Sequence, residues 1–316
     1  MTAIPPTTRR VAAIDCGTNS LRLLVADVDT VAGTLVDLHR QMEIVRLGEG
    51  VDRTGRLGDD ALARTFAVCD RYAEILRDLG AQQVRFVATS ASRDAENRDD
   101  FVSGVLERIG VEPEVVTGDE EARLSFTGAT RGLTGAEAPY LVVDIGGGST
   151  EFVLGTTEPV AARSVDVGCV RLTERHFTSD PPSRDQIDAL VADADAAISR
   201  AAEVVPLAEA RTLVGLAGSV TTLTAVALGQ TEYDASAIHG ARISAATVAE
   251  WSDRLLAMTH DERSRIPVIH PGRVDVLNAG VLVLRRILDR TGLPEVLVSE
   301  HDILDGIAWS IAQAPA

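Results

Sequence analysis

Lysine does not occur in this chain. Its 30 basic residues are all arginine, which excludes a Schiff-base lysine, a P-loop lysine and a kinase-type lysine holding phosphates. Aromatic residues make up only 3% of the chain, too few for the stacking platforms that bind single-stranded nucleic acid. The three cysteines, Cys16, Cys69 and Cys169, lie far apart with no CxxC spacing. That pattern argues against zinc and a disulfide framework and fits a reducing cytoplasm. No run approaches the roughly 18 apolar residues of a membrane helix, and the opening MTAIPPTTRR lacks the apolar stretch of a secretion signal. Net positive charge is missing too: the formal charge is −17, so nothing supplies a global attraction for nucleic acid or an anionic membrane. A polyanionic substrate stays open, because screening over about 8 Å at physiological ionic strength lets a local arginine pocket act inside an acidic protein.

What is present is a chain of 316 residues with 45% hydrophobic content, long enough to bury a sizeable core and, on length, to form two domains. Leu141 to Gly155 reads LVVDIGGGSTEFVLG. A buried strand ends in one carboxylate, Asp144, and three glycines, Gly146, Gly147 and Gly148, follow. These can take positive φ at no steric cost, and they leave their N–H groups open to an anion. Ser149 and Thr150 add hydroxyls before a strand pattern resumes. A strand, a glycine hairpin carrying an acid, and a returning strand make a seat for a phosphate and its metal ion; the alternative is an ordinary tight hairpin.

The same pattern occurs near the N-terminus, after a short tail containing proline and threonine, in VAAIDCGTNSLRLLVADV. Laid on the later stretch without gaps, Asp15 falls on Asp144, Gly17 on Gly146 and Ser20 on Ser149, 129 positions apart. Two similar halves are expected, each offering a hairpin to a shared cleft. Between the copies the spacing predicts a strand over Val36 to Val45, a glycine-rich loop to Gly58 and an amphipathic helix ended by Gly80. A strand over Val84 to Ala88 and a strand over Val111 to Thr117 follow, the second leading into a helix at TGDEEARLSF. In the second half, helices are expected from Cys169, over Asp185 to Val204, Ala245 to Met258 and Val274 to Arg290, and from Asp302 to Ile311. Strands are expected at Val160 to Val167, Thr212 to Leu216 and Val296 to Ser299. The domain boundary is expected where Gly128, Gly132 and Gly135 loosen the helix after Glu121, dividing the chain into 1–128 and 129–316.

In order along the chain, AIDCGTNSLRLLVADV, VRFVATSASRDAEN, TGDEEARLSFTGA, LVVDIGGGSTEFVLG, VDVGCVRLTERHF and GLAGSVTTLTA resemble the exopolyphosphatase and guanosine pentaphosphate phosphohydrolase family. That family sits within the group of folds shared by actin, sugar kinases, acetate kinase and the heat-shock chaperone ATPases. VSEHDILDGIA extends the likeness to nearly the whole chain, though many members end there on a Gly-Leu-Arg-Glu-Gly type sequence. The resemblance implies an α/β protein of two ribonuclease-H-like domains with the active site in the cleft between them. The chain is similar to the short form that lacks the additional helical domains, and a homodimer is an expectation from the family alone.

Phosphoanhydride hydrolysis needs an aligned water, neutralised phosphoryl charge and a hold on the leaving chain. Glu121 matches the family's catalytic carboxylate, in place of its neighbour Glu120; without the family the acids of this stretch read as complements to a helix N-terminus. Asp144 resembles the residue that holds magnesium, with Asp15 and Glu151 as further carboxylates. Gly17, Thr18, Asn19 and Ser20, and Gly146, Gly147, Gly148, Ser149 and Thr150, would cradle phosphates. Arg93 is the candidate cation for developing charge, since guanidinium grips phosphate bidentately. Gly215 to Thr222 either approaches a nucleotide or only brings a helix near a strand. The six histidines show no metal-ligand spacing. The expected activity is magnesium-dependent release of orthophosphate from inorganic polyphosphate, with guanosine pentaphosphate as the alternative substrate. An actin-like ATPase or kinase and a non-catalytic polyphosphate sensor are the rivals of other classes.

Overall fold

Strands buried on both faces read as unbroken apolar runs, and Val11–Ile14 and Leu23–Ala26 are wholly buried. In the computed structural model, which describes residues 7–81 and 83–314, these runs are the central strands of the first of two sheets. The first six residues of the N-terminal tail lie outside the described residues. The strands are β1 (Thr8–Cys16), β2 (Ser20–Asp29), β3 (Thr34–Ile44), β4 (Gln83–Ala88) and β5 (Glu114–Val115). Their order is β3-β2-β1-β4-β5, antiparallel across β3, β2 and β1 and parallel from β1 through β4 to β5. Between them lie helices α1 (Val51–Thr54), α2 (Asp59–Asp78), α3 (Ser90–Asp94) and α4 (Arg98–Ile109). The pleat sends Ala12, Ile14 and Cys16 to one face, where they pack with Leu21, Leu23, Cys69 and Tyr72 of α2, and Phe101 of α4. The expected strand over Val111 to Thr117 shortens to two residues, and the glycine-rich loop holds the one-turn α1.

The chain continues with α5 (Gly118–Thr130), β6 (Tyr140–Ile145), β7 (Thr150–Gly155), β8 (Pro159–Val165), α6 (Cys169–His176), α7 (Arg184–Ala202), β9 (Thr212–Leu216), α8 (Ala217–Ala227) and α9 (Ala235–Ile238). Next come β10 (Arg242–Ser244), α10 (Ala245–Ala257), α11 (His260–Ser264), α12 (Leu277–Thr291), β11 (Glu295–Val298) and finally α13 (Ile303–Gln313). The second sheet runs β8-β7-β6-β9-β11, with β10 added antiparallel at its edge. Strand for strand it repeats the order and sense of the first. The repeat read from two short hairpins is thus a repeat of whole ribonuclease-H-like sheets.

The expected boundary at 128/129 moves. One compact unit comprises Met1–Thr117 with Ile303–Ala316, the other Gly118–Asp302. The physical reason lies in helix faces. Ala122, Phe126 and Ala129 of α5 are buried against Val142, Val153, Val214 and Leu297 of the second sheet. On the first sheet that covering position belongs to α13, which packs on β1, β2 and β4. Asp305 on α13 takes Arg40 of β3 in a 2.6 Å ion pair, and Arg85 of β4 donates to Ser310. Among the described residues, no helix is long and apolar enough to cross a membrane.

The Asp305 carboxylate is 3% exposed, so removing it costs Arg40 its buried partner and leaves only the exposed Asp37. Asp305→Ala is expected to lower unfolding stability by about 1–3 kcal/mol, whereas Asp37→Ala, at the exposed second partner of Arg40, costs less than about 1 kcal/mol. Urea denaturation followed by circular dichroism compares the two.

Candidate active site

Alternation along β6 puts Val142 and Asp144 on one face, and along β7 puts Glu151 and Val153 on the same face; Val142 and Val153 pack under α5. Asp144 and Glu151 are directly paired across the two strands. Like charges in that arrangement repel, and here both are buried. Each has a hydroxyl donor: Ser125 of α5 donates to Asp144 Oδ2 at 2.7 Å, and Ser164 of β8 donates to Glu151 Oε1 at 2.7 Å. One face of this unit therefore carries two acids held close and supplied with donors, a charge arrangement that calls for a cation.

Glu121 lies one helical turn before Ser125, and residues four apart share a helix face. It is buried, while Glu120 is half-buried and Asp119 exposed. This favours Glu121 over its neighbour as the acid beside Asp144. The close approach of α5 depends on Gly118. A Cβ there would lie 2.5 Å from Ser164 Cβ, beside the serine that serves Glu151.

The two glycine hairpins share one bond. Gly17 N donates to Ser20 O at 2.9 Å, and Gly146 N to Ser149 O at 3.0 Å. No group within the described chain accepts from the N–H groups of Thr18, Asn19, Gly147 or Gly148, so each hairpin presents amide donors suited to an anion. The positive φ permitted to Gly146, Gly147 and Gly148 is not used by any of them; what matters is the missing side chain. Thr150 departs from its expected role. It is fully buried and its hydroxyl donates to Val167 O at 2.6 Å, so it fastens the hairpin instead of meeting phosphate.

Asp15 is ion-paired within its own unit. Arg22 donates to its Oδ2 from Nη2 at 2.6 Å and from Nε at 2.9 Å. Among the described residues no group of three or more His, Cys, Asp or Glu side chains could hold a metal; within the second unit Asp144 and Glu151 form a facing pair. Arg22 pairs with Asp15 across β1 and β2 as Glu151 pairs with Asp144 across β6 and β7. The repeat thus holds an acid and an arginine in one copy, two acids in the other. The seven-residue offset from acid to partner is the same in both, so Arg22 was within reach of the sequence comparison, which stopped at Ser20.

Arg93 on α3 donates to Val116 O at 3.0 Å and is half-buried. Beside it Ser90 shares a 2.8 Å hydrogen bond with Thr18 of the first hairpin. The expected residues therefore form two sets: Asp15, Gly17–Ser20 and Arg93 in one unit, and Glu121, Asp144 and Gly146–Glu151 in the other. In the Gly215 to Thr222 stretch, a Cβ at Gly215 would meet Val296 and Val220 side chains at 2.7 and 2.9 Å, a matter of packing. Gly218 instead lies under the guanidinium of Arg273, a residue the sequence alone did not single out. Burial pushes the thiols of Cys16 and Cys169 up, and that of Cys69 up to about 12. The cysteines are protonated and unsuited to act as nucleophiles.

Residues 24–313 match the Ppx/GppA phosphatase family. The chain belongs to that family. Exopolyphosphatase 2 of Mycobacterium tuberculosis (strain ATCC 25618 / H37Rv) is 50% identical over 314 residues, covering 96% of this chain and 98% of that protein. The crystal structure of an exopolyphosphatase-like protein superposes with a TM-score of 0.92 at 42% identity, covering 96% of this chain and 98% of the other. That of the Aquifex aeolicus Ppx-GppA enzyme superposes with a TM-score of 0.81 at 30% identity, covering 96% and 99%. As a Ppx/GppA phosphatase the chain is a hydrolase, and the buried acids and glycine hairpins lie in the part of the fold it shares with these relatives.

If Gly118 sets the distance of Glu121 from the sheet, Gly118→Ala will push α5 outward. Phosphatase turnover is expected to fall by about 10-fold or more, with a stability loss of about 1–3 kcal/mol from overpacking. Steady-state phosphate release and thermal unfolding measure the two.

Proposed function

We propose that this Ppx/GppA phosphatase hydrolyses the terminal phosphoanhydride of inorganic polyphosphate and releases orthophosphate. The observation that carries the proposal is the buried face shared by Glu121, Asp144 and Glu151 beside a hairpin whose glycine amides face no acceptor in the chain. The 50% identity to a protein named exopolyphosphatase 2 supports polyphosphate as the substrate.

Glu121 accepts a proton from the attacking water and orients it. The water oxygen bonds to the terminal phosphorus, the bridging P–O bond breaks, and the shortened chain leaves with the bridging oxygen. Amide donors of Gly147 and Gly148, with Ser149, hold the terminal phosphoryl oxygens, since preorganised N–H groups stabilise charge that builds in the transition state. Gly17, Thr18, Asn19 and Ser20 hold other phosphates of the chain. Arg93 supplies the guanidinium charge that lysine would supply in other phosphotransfer enzymes.

Asp144 and Glu151 fit a magnesium ion, which takes one or two protein carboxylates and completes its shell with water and phosphate oxygens. Bound there, magnesium would neutralise charge on the phosphoryl oxygens. Without a cation these two carboxylates would repel the substrate as well as each other.

Glu121→Gln is expected to lower turnover by about 10²-fold or more while leaving tripolyphosphate binding within a few-fold of wild type, as measured by phosphate release and calorimetry. Retained turnover would place the base elsewhere. Purified protein offered short-chain polyphosphate, guanosine pentaphosphate and ATP in parallel is expected to release phosphate fastest from polyphosphate. Faster release from guanosine pentaphosphate would reassign the substrate, tight ATP binding with transfer to an acceptor would indicate a kinase, and binding without release would indicate a sensor. Asp144→Asn and Glu151→Gln should each raise the magnesium concentration for half-maximal activity by about 10-fold or more.

A further inference from the structure

We infer that Arg171 is a positioning residue of the phosphate reaction, acting through the carbonyl of Gly148 to aim the amide donors of the second hairpin. The inference rests on the reading of that hairpin as a phosphate seat.

Residues 167–171 pass behind the hairpin and take up its carbonyls in succession. Cys169 N donates to Gly146 O at 2.9 Å, Val170 N and Arg171 N to Gly147 O at 2.9 and 3.1 Å, and Arg171 Nε to Gly148 O at 2.7 Å. Thr150 fastens the far end through its bond to Val167 O. The fit is tight: a Cβ on Gly168 would fall 2.4 Å from Gly147 O.

Peptide planarity turns this strap into an aiming device. In a trans peptide the C=O of one residue and the N–H of the next point in opposite directions. With the carbonyls of Gly146, Gly147 and Gly148 all turned toward the strap, the N–H groups of Gly147, Gly148 and Ser149 turn away from it together. Two of those three peptides are held by backbone donors, and the third, between Gly148 and Ser149, is held by the side chain of Arg171. A charged donor on that carbonyl also polarises the peptide, which strengthens the Ser149 N–H as a donor on its other side.

The first hairpin is strapped in the same style. Val45 N and Arg46 N donate to Asn19 O, and Gly48 N to Thr18 O. These residues follow β3 as residues 167–171 follow β8, so the strap belongs to the repeated unit. In the second copy an arginine side chain joins the backbone donors on the hairpin carbonyls.

Side-chain topology supplies the test. Glutamine places its amide nitrogen the same number of bonds from the backbone as arginine places Nε, without the charge; lysine keeps the charge and puts its nitrogen one bond further out. Arg171→Gln is expected to keep kcat on polyphosphate within about 3-fold of wild type, while Arg171→Met lowers it by about 10-fold or more with a smaller change in KM. Arg171→Lys should fall with the methionine variant. Rescue by lysine and not by glutamine would overturn the inference, because a direct charge contact to phosphate behaves that way, and so would an unchanged kcat in Arg171→Met. Circular dichroism of each variant confirms the fold. A readout free of turnover separates this inference from the functional proposal: the Gly147, Gly148 and Ser149 amide resonances should shift on adding inorganic tripolyphosphate to wild type, and the Ser149 response should be lost in Arg171→Met. An unaltered Ser149 response in that variant would overturn the inference even in a protein that does not hydrolyse polyphosphate.

Discussion

Two carboxylates held side by side out of water repel each other, and much of the second unit is arranged around that repulsion. Asp144 and Glu151 face one another across β6 and β7. The unit supplies each with a serine hydroxyl, covers them with α5 and places Glu121 one turn from Ser125. Hydroxyls satisfy lone pairs but bring no net charge, so under the proposed function a cation would offset the pair's charge. A phosphate chain attracts the same cation. In the proposed function that repulsion would become an affinity for metal and polyanion together.

The two copies of the sheet differ at the residue facing the hairpin acid. In the first copy the cross-strand partner of the hairpin acid is Arg22, and Asp15 is answered internally. In the second it is Glu151. The two hairpins thus differ in the charge of one cross-strand partner while the backbone bond from glycine N–H to serine carbonyl is the same in both. The absence of lysine fits this division, because arginine keeps its charge when partly buried and donates in a fixed plane.

Much of the fold and part of the site were legible in the sequence. The hairpins were, because apolar strands buried on both faces and a glycine turn after an acid leave few other readings. Strands and helices fell close to their expected positions wherever burial was continuous, as at Thr212–Leu216. The domain boundary was not legible. Ala122, Phe126 and Ala129 form an apolar stripe that would suit either sheet, and Gly128, expected to loosen the helix, is instead buried within it. Thr150 was misread for a related reason: composition says a hydroxyl is present, whereas the pleat decides whether it faces a ligand or the carbonyl of Val167. Arg171 was quoted within a family stretch but carried no signal of its own, since its contact is to a backbone carbonyl that only the folded hairpin presents.

The exchange of covering helices has a consequence for how the protein is made. The strands of the first unit leave the ribosome early, yet the helix that closes one face of their sheet, α13, follows every strand of the second unit in the chain. The second unit has no such delay, because α5 precedes its sheet. The half translated first therefore closes its sheet only after the other half has been made, and until then the apolar face of β1 and β2 lacks its native cover.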